Sequence, residues 1–291
     1  MAFSMKSYLS IFLKGMIMGF AELIPGVSGG TFALILGIYK RLVEAISNIN
    51  IAFLKGIFSR NFKESWKQAD LNFLFFLVLG MAVSAFTLSS VISVFYKNFP
   101  FFFKSFLSGL LLTSLFYKPL KPEMIDKKFF LGFLLACIVI TLAWNFQPTE
   151  FEKVTLTYIF FGGLIAVCAF ILPGISGAFV LLLLGIWQLI MDSLFAEFNP
   201  MILLSLFSGC LIGLLLFARL VKRVYEDYPQ HLLGFFYSLV LLSIPLMWKS
   251  GEWKVSLPNY QLGYVEAFLG LIIGILFIFV LQKLSSTFQD T

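Results

Sequence analysis

The sequence predicts an all-α polytopic membrane protein of two inverted repeats, each a re-entrant helical hairpin followed by three transmembrane helices. Three observations lead there. First, the chain is 60% hydrophobic and 12% charged, against roughly 25% charged in a soluble domain. A soluble core could not hide 37 Phe, so lipid is the solvent for much of the chain. Second, a Pro-Gly-x-Ser-Gly break occurs twice, with Pro25 and Pro173 148 residues apart. Without a gap, PGVSGGTFALILGIY (25–39) lies over PGISGAFVLLLLGIW (173–187), and Gly15 lies over Gly163. Third, the basic residues divide unevenly between alternate loops.

The first repeat spans 1–150. Its hairpin, 7–39, is an apolar run, the break and a short return over 31–39; a basic, amphipathic stretch covers 40–70. Spans are predicted near 71–95, 101–117 and 129–147. The second repeat, 151–291, has its hairpin at 154–191 and spans near 200–218, 231–248 and 264–284. A crossing needs about 20 apolar residues, and the first return has nine. At 1.5 Å per residue it covers under half the hydrocarbon thickness, so the hairpin enters and leaves on one side. The longer second return leaves its depth open. A same-side hairpin plus three crossings inverts the second half relative to the first. With the N-terminus in the cytoplasm, fifteen Lys and Arg fall inside and four outside, while Lys14 and Lys104 lie within apolar runs. That is a positive-inside distribution, and it predicts six crossings with both termini cytoplasmic. Lys14 interrupts the first apolar run and no A-x-A site follows, so this segment is expected to stay in the mature protein.

The same bias explains the net charge of +6 without nucleic acid, because the basic residues sit between apolar runs. Cys137, Cys168 and Cys210 lie inside apolar stretches and form no CxxC pair; they are expected at helix contacts, not in a disulfide or metal site. With His231 the only histidine, a three-His zinc site is impossible. No cofactor or metal is expected.

The breaks carry the chemistry. Proline ends a helix by removing a donor, and glycine permits tight turns and close backbone approach. The helix that begins after the break points unpaired N–H groups and its positive dipole end into the site. Such an end suits an anion, phosphate especially, with the hydroxyls of Ser28, Thr31 and Ser176 as caps or ligands. The plainer alternative is a packing corner, which two copies at one spacing make less attractive. A charge within a span costs roughly 2.5–3.5 kcal/mol at mid-bilayer, so Glu22 is a candidate for binding a coupling proton or sodium ion. Its counterpart is Phe170, which makes the two hairpins chemically unequal. Lys14 lies about 12 Å from it along the axis, too far for a direct pair. Lys104 is expected to snorkel outward. Arg41 either holds a phosphate in bidentate fashion or adds to the positive-inside charge. Gly209/Gly213 and Gly270/Gly274 fit close helix packing, Glu266 is expected to be interfacial, and the Phe runs at 73–76 and 99–103 to face lipid.

KGMIMGFAELIPGVSGGTFALILGIYKRL (14–42) and FILPGISGAFVLLLLGIW (170–187) resemble the two motifs of the polyprenyl-phosphate (undecaprenyl-phosphate) transporter family. The resemblance covers the whole chain in order and size. It implies a translocase of the bacterial or archaeal inner membrane, not an enzyme. Its substrate would be undecaprenyl phosphate, returned from the outer to the cytoplasmic leaflet for reuse in cell-envelope glycan synthesis. Carried over by motif, the substrate-binding residues are Glu22, Pro25, Gly26, Ser28, Gly29, Gly30, Thr31 and Arg41 in the first block. In the second they are Pro173, Gly174, Ser176 and Gly177. A secondary transporter of a small soluble anion would use the same features. A membrane enzyme acting on a lipid phosphate is opposed by the single histidine and the lack of paired in-membrane acids, and a structural scaffold explains neither the breaks nor Glu22.

Overall fold

The computed structural model describes residues 5–23, 28–57, 62–145, 154–195, 197–249 and 260–287, and among these all regular structure is helical. The first half contains α1 (Met5–Glu22), α2 (Gly29–Ile35), α3 (Tyr39–Ser47), α4 (Ile51–Ile57), α5 (Phe62–Gln68), α6 (Leu71–Asn98), α7 (Pro100–Ser114) and α8 (Lys127–Asn145). The second contains α9 (Leu156–Ile171), α10 (Gly177–Leu183), α11 (Trp187–Phe195), α12 (Pro200–Asp227), α13 (Pro229–Lys249) and α14 (Tyr260–Thr287). The six predicted spans each start within four residues of α6, α7, α8, α12, α13 or α14. By length and composition, four helices among the described residues can cross a bilayer: Leu71–Ser89 of α6, α12, α13 through Trp248, and Gly263–Leu281 of α14. α7 and α8 are shorter, at 15 and 19 residues.

The returning limbs differ from expectation. Neither is one element: a seven-residue helix, α2 or α10, is followed by a bend and a nine-residue helix, α3 or α11. α10 and α11 meet at 111°, and together they would count as a fifth span if they formed one broken crossing. The bend is written into glycine. Gly37 and Gly185 both have φ 69°, a left-handed conformation that side chains resist. Each closes its helix by the same pair of bonds, Gly37 N–H to Leu34 O with Ile38 N–H to Ala33 O, and Gly185 N–H to Leu182 O with Ile186 N–H to Leu181 O. This is the Schellman cap.

Four close helix pairs make the body: α1 on α6, α9 on α12, α7 on α14 and α8 on α13. Small residues let the backbones approach. A Cβ on Gly15 would strike Leu77 O and one on Gly80 would strike Phe12 O; a Cβ on Gly163 would strike Leu206 O and one on Gly209 would strike Phe160 O. The second set is the first moved along the chain, by 148 residues on α1 and by 129 on α6. The shift shortens because α4 and α5 have no counterpart between α11 and α12. Likewise Gly132 abuts His231 O and Gly270 abuts Phe102 O. Two of the three cysteines sit at such contacts: the sulfur of Cys137 is 3.5 Å from the Ser238 hydroxyl, and Cys210 donates to Gly163 O, whereas Cys168 donates to Leu164 O of its own helix.

The core is built around α2, every residue of which is buried. The outer faces of α6, α12 and α14 are apolar and exposed, with Phe86 87%, Phe207 64% and Phe268 64% accessible, as lipid-facing helices require. The Phe runs are only half lipid-facing. Phe75 and Phe99 are exposed, whereas Phe73 and Phe103 belong to the core, because helical periodicity turns alternate members of a run inward.

Candidate functional site

The two breaks touch. Ser28 is the N-cap of α2, in extended conformation at φ −113°, ψ 134°. Its Oγ accepts the Gly30 N–H at 3.1 Å and donates to Leu172 O at 2.9 Å. One turn later, the Thr31 hydroxyl accepts the Gly174 N–H at 2.8 Å. Pro173 lies between these two bridged positions and supplies no N–H of its own. Gly30 is needed for the approach: a Cβ there would stand 2.6 Å from Ile171 O. Gly174 sits at φ +82°, where a Cβ would meet Leu239 O of α13 at 2.5 Å.

Glu22 closes the first break on itself. Its Oε1 accepts the Gly29 N–H at 2.5 Å. With Ser28 on Gly30, the first two amides of α2 are thus met by protein groups. A carboxyl at a helix N-terminus occupies the position an anionic ligand would take. The second break is built differently. Ser176 is the N-cap of α10 but makes no capping bond, and only Gly177 of that helix is fully buried. A Cβ on Gly177 would stand 2.8 Å from Ala166 O, which keeps α10 close against α9.

Of the residues expected at the site, Glu22, Ser28, Gly29, Gly30 and Thr31 come together with Gly174 and flank Pro173. Ser176 and Gly177 open α10 beyond them. Pro25 and Gly26 lie outside the described residues. Arg41 is elsewhere: its Nε donates to Asp70 Oδ2 at 2.6 Å and its Nη2 to Asp70 Oδ1 at 3.2 Å, and its guanidinium lies 4.3 Å from the ring centre of Phe73. The bidentate geometry foreseen for a phosphate is therefore present, with a carboxylate in it.

One of the two lysines within apolar runs departs from expectation. Lys104 does not snorkel; it is 6% exposed, with Nζ 5.3 Å from the ring centre of Trp248. A cation over an indole face is stabilised without leaving the protein. Lys14 is 8% exposed, on the core-facing stripe of α1 with Ile11, Met18 and Ala21, and within Coulombic reach of Arg41. It forms no ion pair with Glu22, as its distance along the helix demands.

Two groups escaped the sequence. The Leu172 carbonyl is a backbone acceptor that no residue type announces. Ser84 is fully buried and its hydroxyl has no partner among the described residues. Gly15 and Gly19 on α1 contact Leu77 and Met81 on α6; continuing that register brings Glu22 level with Ser84. Among the described residues, no group of three or more His, Cys, Asp or Glu comes together.

The model of a family described as undecaprenyl phosphate translocase-like matches residues 18–261 and 193–290. The chain is 35% identical over 269 residues to a polyprenyl-phosphate transporter of Vibrio cholerae serotype O1, covering 91% of this chain and 87% of that protein. It is 30% identical over 276 residues to a polyprenyl-phosphate transporter of Staphylococcus aureus, covering 87% of this chain and 92% of that protein. No solved structure matches the chain.

Proposed function

The chain belongs to the undecaprenyl phosphate translocase-like family, and on that footing we propose that it is a flippase of the bacterial or archaeal inner membrane. It returns undecaprenyl phosphate from the outer to the cytoplasmic leaflet for reuse in envelope glycan synthesis, without chemistry on the lipid. The observation that carries the site is the bridge between the breaks through Ser28–Leu172 and Thr31–Gly174. The head group binds there. Its phosphate takes the Gly29 amide from Glu22 while the tail stays in the bilayer. A proton or sodium ion on Glu22 weakens its hold on that amide, which couples the ion to the lipid.

In this reading, 1–150 and 151–291 are inverted halves, each with one re-entrant hairpin, and both termini are cytoplasmic. Three features support it: the glycine contacts that recur at fixed shifts, the crossed pairing of α7 with α14 and α8 with α13 that a two-fold axis generates, and the positive-inside charge. The departures from symmetry support alternating access. α3 packs along α12, with Lys40 Nζ 5.8 Å from the Tyr225 ring centre and Arg219 donating to Ile49 O at 2.9 Å. Tyr39 is 2% exposed there, edge-on to Phe236. α11 has no comparable packing on α6, and Trp187, in the place of Tyr39, is half-buried. Exchanging these arrangements between the halves closes one face and opens the other. The charge bias puts α3 inside, so the open face is the outer one, where the spent carrier arrives.

Purified protein in liposomes tests the proposal. A fluorescent polyprenyl phosphate should equilibrate between leaflets only when protein is present. Release of inorganic phosphate, or no flux, rules the reading out. Flux unchanged with the proton and the sodium gradient collapsed in turn removes the coupling role of Glu22.

A further inference from the structure

A cavity of about 540 Å³ lies between α1, α3, α5 and α6, lined by Tyr8, Arg41, Trp66, Lys67, Asp70 and Asn72 among others. It is separate from the helix breaks. Its central feature is the bidentate pair of Arg41 and Asp70, whose side chains remain 35% and 28% exposed. Asp70 precedes α6 and has φ 48°, the one non-glycine residue with positive φ among the described residues. Such a conformation is disfavoured for a residue with a Cβ and persists where something else requires it.

The second half shows what that position does when nothing else is asked of it. The equivalent residue is Asn199, which has ordinary extended conformation and caps α12 by accepting from the Met201 and Ile202 amides. Asp70 makes no cap bond, although Asp is among the best capping residues. Its carboxylate is turned away from the helix and onto Arg41. Arg41 in turn has Leu189 as its counterpart, so both partners belong to the first half alone. Asp70 answers only one of two neighbouring cations, because the buried Lys14 stands within Coulombic reach of Arg41 and has no ion-pair partner among the described residues. A singly charged carboxylate thus holds a guanidinium fork in a pocket lined also by Lys67 and Glu44, with Lys14 within Coulombic reach of the fork. A phosphate fits the fork equally well and brings more negative charge.

We propose that this cavity is a second head-group site, for a phosphomonoester, and that the phosphate takes on Arg41 the bidentate place that Asp70 now holds. The proposal rests on the lipid-phosphate reading above and adds a station to it. The cavity opens beside α5, where Phe62 and Trp66 are exposed next to Lys63 and Lys67, a composition suited to a membrane interface. On the charge bias this is the cytoplasmic face. The cavity is therefore where the head group rests on leaving the helix breaks, and Asp70 resets the site by displacing it.

The decisive variants are Asp70→Asn and Asp70→Gly. Both residues accept the left-handed backbone, so each removes the carboxylate without adding strain. Calorimetric titration of the full-length protein in detergent, with farnesyl phosphate and separately with inorganic phosphate, reads the result. Both variants should bind farnesyl phosphate at least about threefold more tightly than wild type, since the occupied fraction of Arg41 no longer subtracts from affinity. Adding Arg41→Ala should remove the gain. An equal gain for inorganic phosphate would support the site and assign it to the free anion. Weaker binding by both Asp70 variants would make Asp70 a positioning residue and overturn the proposal, as would a gain that survives Arg41→Ala. Absence of flux in wild-type liposomes would remove the transport reading while leaving the cavity result to stand or fall on its own titration.

Discussion

The Thr31 hydroxyl and the Gly174 amide, 143 residues apart in the chain, form a buried hydrogen bond of 2.8 Å. It is one of two such bonds that tie the helix breaks together. Thr31→Val keeps the shape and removes the acceptor, leaving the Gly174 N–H unmet. That costs about 1–3 kcal/mol. Thermal denaturation in detergent should show a clear drop for Thr31→Val and little change for Thr31→Ser, with flux following the same order. Equal melting of the two variants would mean that the bond contributes nothing.

Glu22 separates charge from hydrogen bonding. Glu22→Gln still accepts the Gly29 amide, so its thermal stability should stay near wild type. Its flux should no longer respond to proton or sodium gradients. Glu22→Ala also strips the cap, and a loss of about 1 kcal/mol is expected. A gradient response that persists in Glu22→Gln would place the coupling elsewhere.

The unequal docking of α3 and α11 predicts a second conformation. Paired cysteines replacing Lys40 and Tyr225 should be joined by a short bifunctional thiol reagent in the arrangement described here. The equivalent pair, replacing Gln188 and Tyr96, should be joined only in the exchanged one. Either bridge should stop flux. Failure of the second pair to react while the protein is transporting would argue against the exchange.

The proposed inversion of the halves makes a prediction about sidedness. After replacement of the three native cysteines, Glu197→Cys should react with an impermeant maleimide in intact cells. Glu123→Cys should react only after permeabilisation. Both residues are exposed, so reaction of both from one side would be incompatible with inverted repeats.

The helices were legible in the sequence because lipid imposes a coarse rule, long apolar runs ended by charge or proline. The long apolar helices and the two breaks follow from it. The repeat singled out both breaks, but their meeting through Ser28 and Thr31 is seen only in the folded chain. What stayed hidden depends on partners far away in the chain. Lys104 looked like a snorkelling residue because its own helix offers it nothing; Trp248 of α13 supplies the surface that keeps it inside. Arg41 suggested a phosphate ligand, and the competing carboxylate of Asp70 could not be seen because its orientation depends on a left-handed backbone that no local pattern announces. The bends at Gly37 and Gly185 were missed for a simpler reason. A single glycine within an apolar run also fits helix packing.

The crossed pairing of α7 with α14 and α8 with α13 has a consequence for biogenesis. Once α7 has been made, roughly 150 residues remain before its partner begins. At about 5–20 residues per second the wait is about 7–30 s. During it, the carbonyls of Phe102 and Phe106, against which Gly270 and Gly274 will fit, stay uncovered. The first half therefore cannot mature on its own, and the order of synthesis makes the last helix the one that completes the assembly. Truncation before α14 should leave a chain that inserts and is then degraded, because its longest-waiting surface is never covered.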